Sequence, residues 1–334
     1  MGPHRQDRHA QLSTRLASCS DIELAALAPV DQAIGVGGGS GVAELDGLPV
    51  FVKRIPLSDR EVERPQCTAN LFGLPVFAQY GVGGPGFNAW RELAANQAVT
   101  DAVLAGETTA FPLLHHWRVL PGRPALADEH ADLDSVVAAM AGDAAVRARL
   151  EALAGATHSL VLFCEYLPVA MDDWLGDDPV GKAELVERQL AEIVASLRRL
   201  ELLHMDGHFG NMRCDGDRIH LTDFGLVTSP RFELSAAEQD FVHRNARHDA
   251  GYAAMTLVNW LVRAVCLPDR GIPERYEYVR RCADDGVAGD VPPGVAAVLG
   301  RHVQVAARMN DFYWRVFGGD VLAEYADPYV EVAG

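Results

Sequence analysis

The sequence predicts an α+β fold, with a small antiparallel sheet in the first half of the chain and mostly helices in the second. Two apolar runs flank Asp46-Gly47, the dipeptide of a tight hairpin turn. An apolar run at 160–163 indicates a buried strand. In 183–203 apolar residues recur at three- and four-residue steps, so one face of a long helix is buried. The 334 residues suggest about two domains of roughly 150 residues or one large bilobal domain, and the pattern changes near 166–170.

The composition is that of a folded globular protein: 49% of the residues are hydrophobic, 22% are charged, and the mean hydropathy is +0.01. The 46 acidic residues outnumber 29 basic ones and give a net charge of −17, which would repel a nucleic-acid backbone. The chain carries no secretory signal pattern, and its apolar runs fall short of the roughly 20 residues that a bilayer requires. Six scattered cysteines without a C-x-x-C pair are expected to be reduced thiols. These features predict a cytoplasmic protein with neither nucleic-acid nor membrane partners.

The first elements are predicted from local patterns. Residues 1–29 are an N-terminal extension, predicted as a polar tail followed by a short helix, Asp21–Leu27. The hairpin predicts strands at 42–45 and 48–55. Pro49 should lie near the turn, because proline has no N–H to donate to a neighbouring strand.

Residues 56–88, rich in Pro, Gly and Asn, form a long connection of a length typical of functional loops. The elements predicted after it in the first half are a helix at 89–103, a strand at 111–119, a mostly helical stretch at 125–156 and a strand at 159–166. Those predicted in the second half are a helix at 183–203, a hairpin of 212–214 and 218–222, and helices at 252–266 and 296–317.

The strongest chemical pattern is H-M-D-G-H-F-G-N at 204–211, followed by T-D-F-G-L at 222–226. Asp206 precedes Asn211 by five residues after a long helix, and Asp223 follows a short hairpin. We expect these oxygen-bearing side chains to converge. Mg²⁺ prefers carboxylate and amide oxygens and retains water and substrate phosphates. The remaining carboxylate, Asp206, can then face a substrate hydroxyl and accept its proton.

These two motifs resemble those of the protein-kinase-like superfamily, which joins Ser/Thr protein kinases with aminoglycoside- and choline-type phosphotransferases. The resemblance implies a bilobal fold. Its antiparallel-sheet N-lobe would be 30–167, with insertions at 56–88 and 120–157, and its helical C-lobe would be 168–334.

The resemblance also assigns roles and cofactors. It implies that Asp206 is the catalytic base, that Asn211 and Asp223 are the Mg²⁺ ligands, and that His204 is a structural residue beneath the loop. ATP and Mg²⁺ are the implied cofactors, and a hydroxyl-bearing molecule is the implied acceptor.

A glycine-rich segment, G-V-G-G-G-S-G-V at 35–42, resembles the kinase pattern G-x-G-x-x-G-x-V, except that a serine replaces the third glycine. Glycines let backbone N–H groups approach phosphates without an intervening Cβ. The resemblance implies nucleotide-binding positions at Gly35, Gly37, Gly38, Ser40 and Val42.

The segment F-V-K resembles the kinase V-A-I-K strand, so Lys53 would hold the α- and β-phosphates of ATP. Its implied partner is Glu92 of W-R-E-L, which would keep the ammonium directed at phosphate. The gap of 39 residues is longer than the family usually shows, so Glu61 and Glu63 remain competitors.

The run L-V-L-F-C-E-Y-L-P at 160–168 resembles the kinase hinge, which implies that backbone groups from Glu165 to Leu167 bond adenine. Asp172 or Asp173 would meet the ribose, or would simply begin a helix. Asp249 would either steady the catalytic loop from a buried helix or cap that helix.

Several features depart from the protein-kinase pattern. Met205 replaces the arginine of H-R-D, so regulation by loop phosphorylation is not expected. His208 makes the loop similar to that of small-molecule phosphotransferases, and could contact the transferred phosphoryl group or face solvent. No A-P-E follows Leu226, so the usual peptide-docking platform is in doubt.

The sequence therefore predicts an ATP-dependent phosphotransferase. D-F-G and the hinge favour a protein Ser/Thr acceptor by a narrow margin. The missing arginine and A-P-E favour a small alcohol such as an antibiotic or metabolite. A pseudokinase-type ATP-binding scaffold is the alternative from another class.

Overall fold

A computed structural model describes residues 3–30, 33–35, 38–81, 83–176 and 178–325. Its architecture is α+β, as predicted: a five-stranded antiparallel sheet followed by a mostly helical region with a small three-stranded sheet. The strands are β1 (Ala33–Gly35), β2 (Gly38–Leu45), β3 (Leu48–Leu57), β4 (Leu114–Pro121), β5 (His158–Glu165), β6 (Val169–Ala170), β7 (Met212–Cys214) and β8 (Ile219–Leu221).

The α-helices of the described residues are α1 (Pro3–Ser18), α2 (Asp21–Leu27), α3 (Asp59–Val62), α4 (Ala89–Leu104), α5 (Leu133–Ala139), α6 (Ala144–Ala154), α7 (Met171–Leu175), α8 (Pro179–Arg199), α9 (Ala236–Arg244), α10 (His248–Leu261), α11 (Ile272–Asp285) and α12 (Pro293–Phe317). Among these described residues, no helix is both long enough and apolar enough to span a bilayer. All six cysteines are free thiols, as predicted.

The large sheet has the order β1-β2-β3-β5-β4. The β2–β3 hairpin turns at Asp46 and Gly47, whose φ angles of 51° and 75° are the positive pair that a type I′ turn requires. The predicted hairpin is therefore confirmed. Pro49 lies opposite Glu44 beside this turn, before β3 begins to pair with β5 at Val50.

The two faces of β3 pack against different layers because its side chains alternate. Val50 and Val52 are buried under α1 and α2 on one face. On the other face Ile55 packs against Trp90 of α4. Lys53 shares this second face, so strand alternation directs its side chain toward α4.

The N-terminal residues differ from the prediction. The predicted helix Asp21–Leu27 is confirmed as α2, but the predicted polar tail is wrong, because α1 fills most of it. Leu12 and Leu16, one turn apart, are fully buried against the sheet. Tertiary burial therefore stabilises a helix whose composition is otherwise polar.

The two long connections, 56–88 and 120–157, pack against each other. Leu74 and Phe87 of the first meet Val146 and Leu150 of the second, which contains α5 and α6. A buried ion pair between Arg149 and Glu61, 2.6 Å apart, joins them. The two segments therefore form one satellite layer beside the sheet.

The helical region is built around the predicted helix at 183–203, observed as α8. This helix, α10 and α12 enclose the largest apolar cluster, and the β7–β8 hairpin forms where it was predicted. Helices α9 and α11 were not predicted.

Candidate active site

A cavity of about 800 Å³ lies between the five-stranded sheet and the helical region. It is lined by residues of β2, β3, α4, the end of β5, the loop before β7 and the segment after β8. The predicted site residues that line it are Gly38, Ser40, Lys53, Glu92, Glu165, Leu167, Asp206, His208, Asn211 and Asp223. Side chains from distant parts of the chain thus converge on one space.

Lys53 contacts two carboxylates in this wall. Its Nζ lies 2.7 Å from Glu92 Oε1 and 2.8 Å from Asp223 Oδ1. The Lys53 and Glu92 side chains are 9% and 5% exposed, whereas Asp223 is 42% exposed. Of the competitors, Glu61 pairs with Arg149 and Glu63 is exposed. The predicted pairing of Lys53 with Glu92 is therefore confirmed.

One ammonium shared by two carboxylates leaves this group with a surplus negative charge. Burial opposes the charge on Lys53, but Asp223 and Glu92 outweigh it and raise the pKa of Lys53 above its ordinary value. Burial, opposed by Lys53 and reinforced by Asp223, raises the pKa of Glu92 to about 7. Lys53 outweighs burial at Asp223 and lowers the pKa of that carboxyl. Asp223, the more exposed acid, therefore keeps its charge, and Glu92 takes up a proton near neutral pH.

The loop at 204–211 is supported from below by Asp249, a buried residue in the first turn of α10. Its carboxylate accepts hydrogen bonds from the backbone N–H groups of His204 (2.7 Å) and Met205 (2.9 Å). Met205 has a φ of 69°, a left-handed conformation that is costly for a residue with a side chain and needs such support. Of the two interpretations of Asp249, the loop anchor is confirmed.

Asp206 belongs to this loop, and its side chain is about one third exposed. Asn211 Nδ2 donates to Asp206 Oδ2 (2.9 Å) and to its carbonyl oxygen (3.0 Å). His208 Nε2 lies 3.6 Å from Asp206 Oδ2. Burial acts to raise the pKa of Asp206, but His208 outweighs it, and the net pKa is lowered. Asp206 in turn raises the pKa of His208. At neutral pH Asp206 is therefore an ionised carboxylate that can accept a proton.

Asp223 is oriented by its neighbours in the chain. It has a φ of 61°, and Gly225 N–H donates to its Oδ1 at 3.1 Å. Phe224 is buried, with its ring 5.2 Å from His204 and 6.0 Å from Phe111. His204 Nε2 lies 3.0 Å from the carbonyl oxygen of Thr222, so this histidine has the structural position predicted for it.

The glycine-rich segment contributes only part of the predicted set. Gly38 has a φ of 119°, and a Cβ there would lie 2.3 Å from the carbonyl oxygen of Arg54, so only glycine fits. Gly35 lies in β1, and Gly37 lies outside the described residues. Val42 is 55% exposed and is not among the residues that line the cavity.

The end of β5 brings Glu165 and Leu167 to the cavity, but Asp172 lies elsewhere. The carboxylate of Asp172 is exposed and pairs with Arg263 at 3.2 Å, away from the lining residues. Cys164 also lines the cavity, and burial raises the pKa of its thiol to about 12, so the group is a poor nucleophile.

Other lining residues carry no motif and were not predicted. Tyr80 and Arg149 come from the two long connections, and Tyr252 and Tyr313 come from α10 and α12. The only sequence signal for any of them is the unusual length of 56–88, which indicates a functional segment.

The side chains present fit a magnesium ion. Among the described residues, Asn211 Oδ1 and Asp223 Oδ2 make no hydrogen bond, so both oxygens can serve as ligands. The described part of the chain has no cluster of three or more His, Cys, Asp or Glu that could hold a metal. Mg²⁺ needs no such cage, since it takes one or two protein oxygens together with water and phosphates.

No protein-family model matches the chain, and no curated protein matches it.

Proposed function

We propose that this protein is an ATP-dependent phosphotransferase of the protein-kinase-like kind, which transfers the γ-phosphoryl group of ATP to a hydroxyl. The observation that carries the proposal is the meeting of Lys53, Glu92 and Asp223 with Asp206 and Asn211 in one cavity. In this proposal the sheet is the N-lobe and the helical region is the C-lobe. The six free thiols suit the reducing cytoplasm.

The nucleotide would occupy the side of the cavity formed by the sheet. Phe51 and Leu162 give apolar walls for adenine beside the backbone of 165–167. Lys53 would meet the phosphates, and Asn211 with Asp223 would hold Mg²⁺, which neutralises phosphate charge when bound. Lys53 retains its proton at neutral pH because its pKa is raised, so it is available as a cation for phosphate.

Asp206 would act on the acceptor. The acceptor oxygen bonds to the γ-phosphorus, the bond from that phosphorus to ADP breaks, and the hydroxyl proton passes to the Asp206 carboxylate. The lowered pKa of Asp206 keeps it unprotonated and ready to accept. Asn211 fixes the carboxylate through its amide, so the base is oriented before the acceptor arrives.

The contacts after Asp223 favour a small acceptor over the protein acceptor that the sequence narrowly favoured. Thr68 of the first long connection bonds Glu233 in both directions, at 2.9 and 3.3 Å. Gln79 donates to the carbonyl oxygen of Leu226. The protein's own chain thus covers the segment along which a peptide acceptor would extend in a protein kinase.

A buried ion pair reinforces this cover. Arg91 lies 2.6 Å from Glu238 of α9, and both side chains are almost fully buried. Arg91 also donates to the carbonyl oxygen of Thr68 at 2.7 Å. Separating such a pair would leave charges uncompensated, at a cost of about 3–5 kcal/mol. The covered segment is therefore a stable part of the fold, and an acceptor small enough to enter the cavity suits it best.

The wall on the Asp206 side is aromatic. Tyr252 and Tyr313 line it, and Phe317 lies at its rim with 70% of its surface exposed. Burial and then the charge of Asp206 raise the pKa of Tyr252, so its hydroxyl stays neutral close to the proposed base. These rings favour an alcohol with a flat or apolar body.

The proposal is tested by incubating the protein with γ-³²P-ATP, Mg²⁺ and a cell lysate, and then separating the products by size. We expect label in the small-molecule fraction. Asp206→Asn should lower the rate at which this fraction is labelled by about a hundredfold to ten-thousandfold. Asp217→Asn, at an exposed turn outside the cavity, is the matched control and should leave the rate unchanged.

The other outcomes each identify a different function. Label confined to the protein fraction would replace the small acceptor with a Ser/Thr side chain. Nucleotide binding without transfer to any fraction would make the protein a scaffold. Absence of ATP binding would overturn the proposal.

A further inference from the structure

The N-terminal helix α1 reaches the end of β5 through one side chain. Arg5 Nε lies 2.8 and 3.0 Å from the two carboxylate oxygens of Glu165, and its NH2 group donates to Glu165 Oε2 and to the carbonyl oxygen of Phe111, both at 2.6 Å. Leu113 N–H donates to the same carboxylate at 3.2 Å. The Arg5 and Glu165 side chains are only 15% and 13% exposed. One guanidinium therefore ties two separate segments together.

Both segments lie where the sheet meets the helical region, and Phe111 packs into the apolar cluster of that region just before β4 begins. Glu165 ends β5 and, with the next two residues, Tyr166 and Leu167, lines the cavity. Ala110, beside Phe111, accepts a hydrogen bond at 2.9 Å from Leu221 N–H, two residues before Asp223. Phe111 also packs on Phe224, the residue after Asp223. A continuous set of contacts thus runs from α1 to both ends of the proposed nucleotide site.

We infer that Arg5 is a positioning residue for nucleotide binding: by holding Glu165 and Phe111, docked α1 fixes the backbone of 165–167 that would receive adenine. This inference rests on the proposed function. Arg5 is suited to the role because its planar fork binds a carboxylate in two places, which fixes direction as well as distance. Without Arg5, a nearly buried carboxylate would lose its cation and turn toward water, and the end of β5 would move with it.

The competing explanation is that Arg5 only holds α1 on the sheet. Variants at other contacts of α1 distinguish this role from the positioning of 165–167. Leu12 and Leu16 bury the apolar face of the helix, and Arg15 lies 3.5 Å from Asp46 in an exposed ion pair. Leu12 and Leu16 hold α1 on the face of the sheet opposite the cavity, and neither Arg15 nor Asp46 lines the cavity. Arg15→Gln therefore removes an anchor of α1 without touching the 165–167 backbone, and it is the matched control for Arg5→Gln.

The test compares wild type, Arg5→Gln, Arg15→Gln and the double variant Arg5→Gln/Glu165→Gln. The first measurement is amide hydrogen exchange at 110–113 and 165–167 without nucleotide. The second is KM for ATP and kcat. We expect faster exchange in Arg5→Gln and a KM about tenfold higher with kcat within twofold, which corresponds to about one lost hydrogen bond. The double variant, which leaves no unpaired charge, should recover part of both changes.

Matching behaviour of Arg5→Gln and Arg15→Gln in both measurements would overturn the inference. If the wild type shows no ATP turnover, the proposed function fails, and hydrogen exchange alone still decides whether Arg5 holds these segments. If Arg5→Gln does not fold, Arg5→Lys keeps the charge without the fork, and it should show the same rise in exchange and KM to a smaller degree.

Discussion

The substitution Glu92→Gln tests the charge balance inside the cavity. It keeps the shape of the side chain and removes one of the two carboxylates that share Lys53. Glu92 has an ordinary pKa of 4.5 in the unfolded chain and about 7 in the folded protein. Between these values the folded state binds the extra proton, so this residue's contribution to stability is fully present below pH 4.5 and is lost as pH rises to 7.

The magnitude follows from the shift. A difference of 2.5 between 7 and 4.5, at 1.36 kcal/mol for each pKa unit, gives about 3 kcal/mol. The free energy of unfolding of Glu92→Gln, minus that of the wild type, should therefore rise by about 3 kcal/mol between pH 4.5 and pH 7.5. Glutamine cannot titrate, so the whole pH dependence of this difference belongs to Glu92.

The assay is urea unfolding followed by tryptophan fluorescence across that pH range. Trp90, two residues before Glu92, is buried and reports on this part of the core. A difference that stays flat would show that the charge surplus does not exist. A difference that falls with pH would show that Lys53 dominates and lowers the pKa of Glu92, contrary to our account.

Three further changes test other parts of the structure. Burial lowers the pKa of His115 to about 3, so the folded protein loses stability as pH falls below 6.5. In urea titrations, His115→Gln should reduce the fall in the free energy of unfolding between pH 7 and pH 5 by about 2 kcal/mol, and an unchanged fall would refute this. Arg149→Met leaves Glu61 buried and without its cation, so calorimetry and denaturant titration should show that the free energy of unfolding falls by about 3–5 kcal/mol. An unchanged free energy of unfolding would mean that the packing of the two long connections does not depend on the pair. Gly38→Ala places a Cβ against the carbonyl oxygen of Arg54 at a positive φ, so it should cost about 1–3 kcal/mol of stability and also raise KM for ATP; an unaltered KM would remove the β2 segment from the nucleotide site.

The opposing pH dependences of Glu92 and His115 have a practical consequence. Between pH 4.5 and pH 6.5 one group lowers stability as pH rises and the other increases it, each by at most about 1.4 kcal/mol per pH unit. The wild-type curve can therefore be nearly flat while both effects are present. Each group must be measured as the difference between a variant and the wild type.

Local patterns in the sequence were sufficient to predict the elements that have strong periodicity or distinctive turns. The Asp46-Gly47 hairpin and α8 formed as predicted because turn chemistry and a buried helix face act over a few residues. Helix α1 was missed because its composition is polar and its stability comes from burying Leu12 and Leu16 against a sheet distant in sequence. Burial against distant elements leaves little trace in local composition.

The candidate site also contains some residues that the sequence predicts and others that it does not. That Lys53, Asp206 and Asp223 share one site could be predicted from sequence, because the motifs that contain them have fixed residue types at fixed spacings. Arg5 could not, since nothing near it in the chain indicates a carboxylate 160 residues away. The contact between Gln79 and the segment after Asp223 was equally hidden, because it depends on how a long connection folds back.

The most direct test of the central claim uses the scarcity of lysine in this chain, which has only Lys53 and Lys182. An ATP analogue with an acyl phosphate transfers its acyl group to an amine beside the bound phosphates, and mass spectrometry identifies the labelled lysine. Lys182 lies near the Trp174 ring, outside the cavity, and is the internal control. We predict labelling of Lys53, suppression of that labelling by excess Mg²⁺·ATP, and no ATP-sensitive labelling of Lys182. Labelling of Lys182 alone, or labelling of Lys53 that ATP does not suppress, would contradict the placement of the triphosphate against Lys53, Glu92 and Asp223.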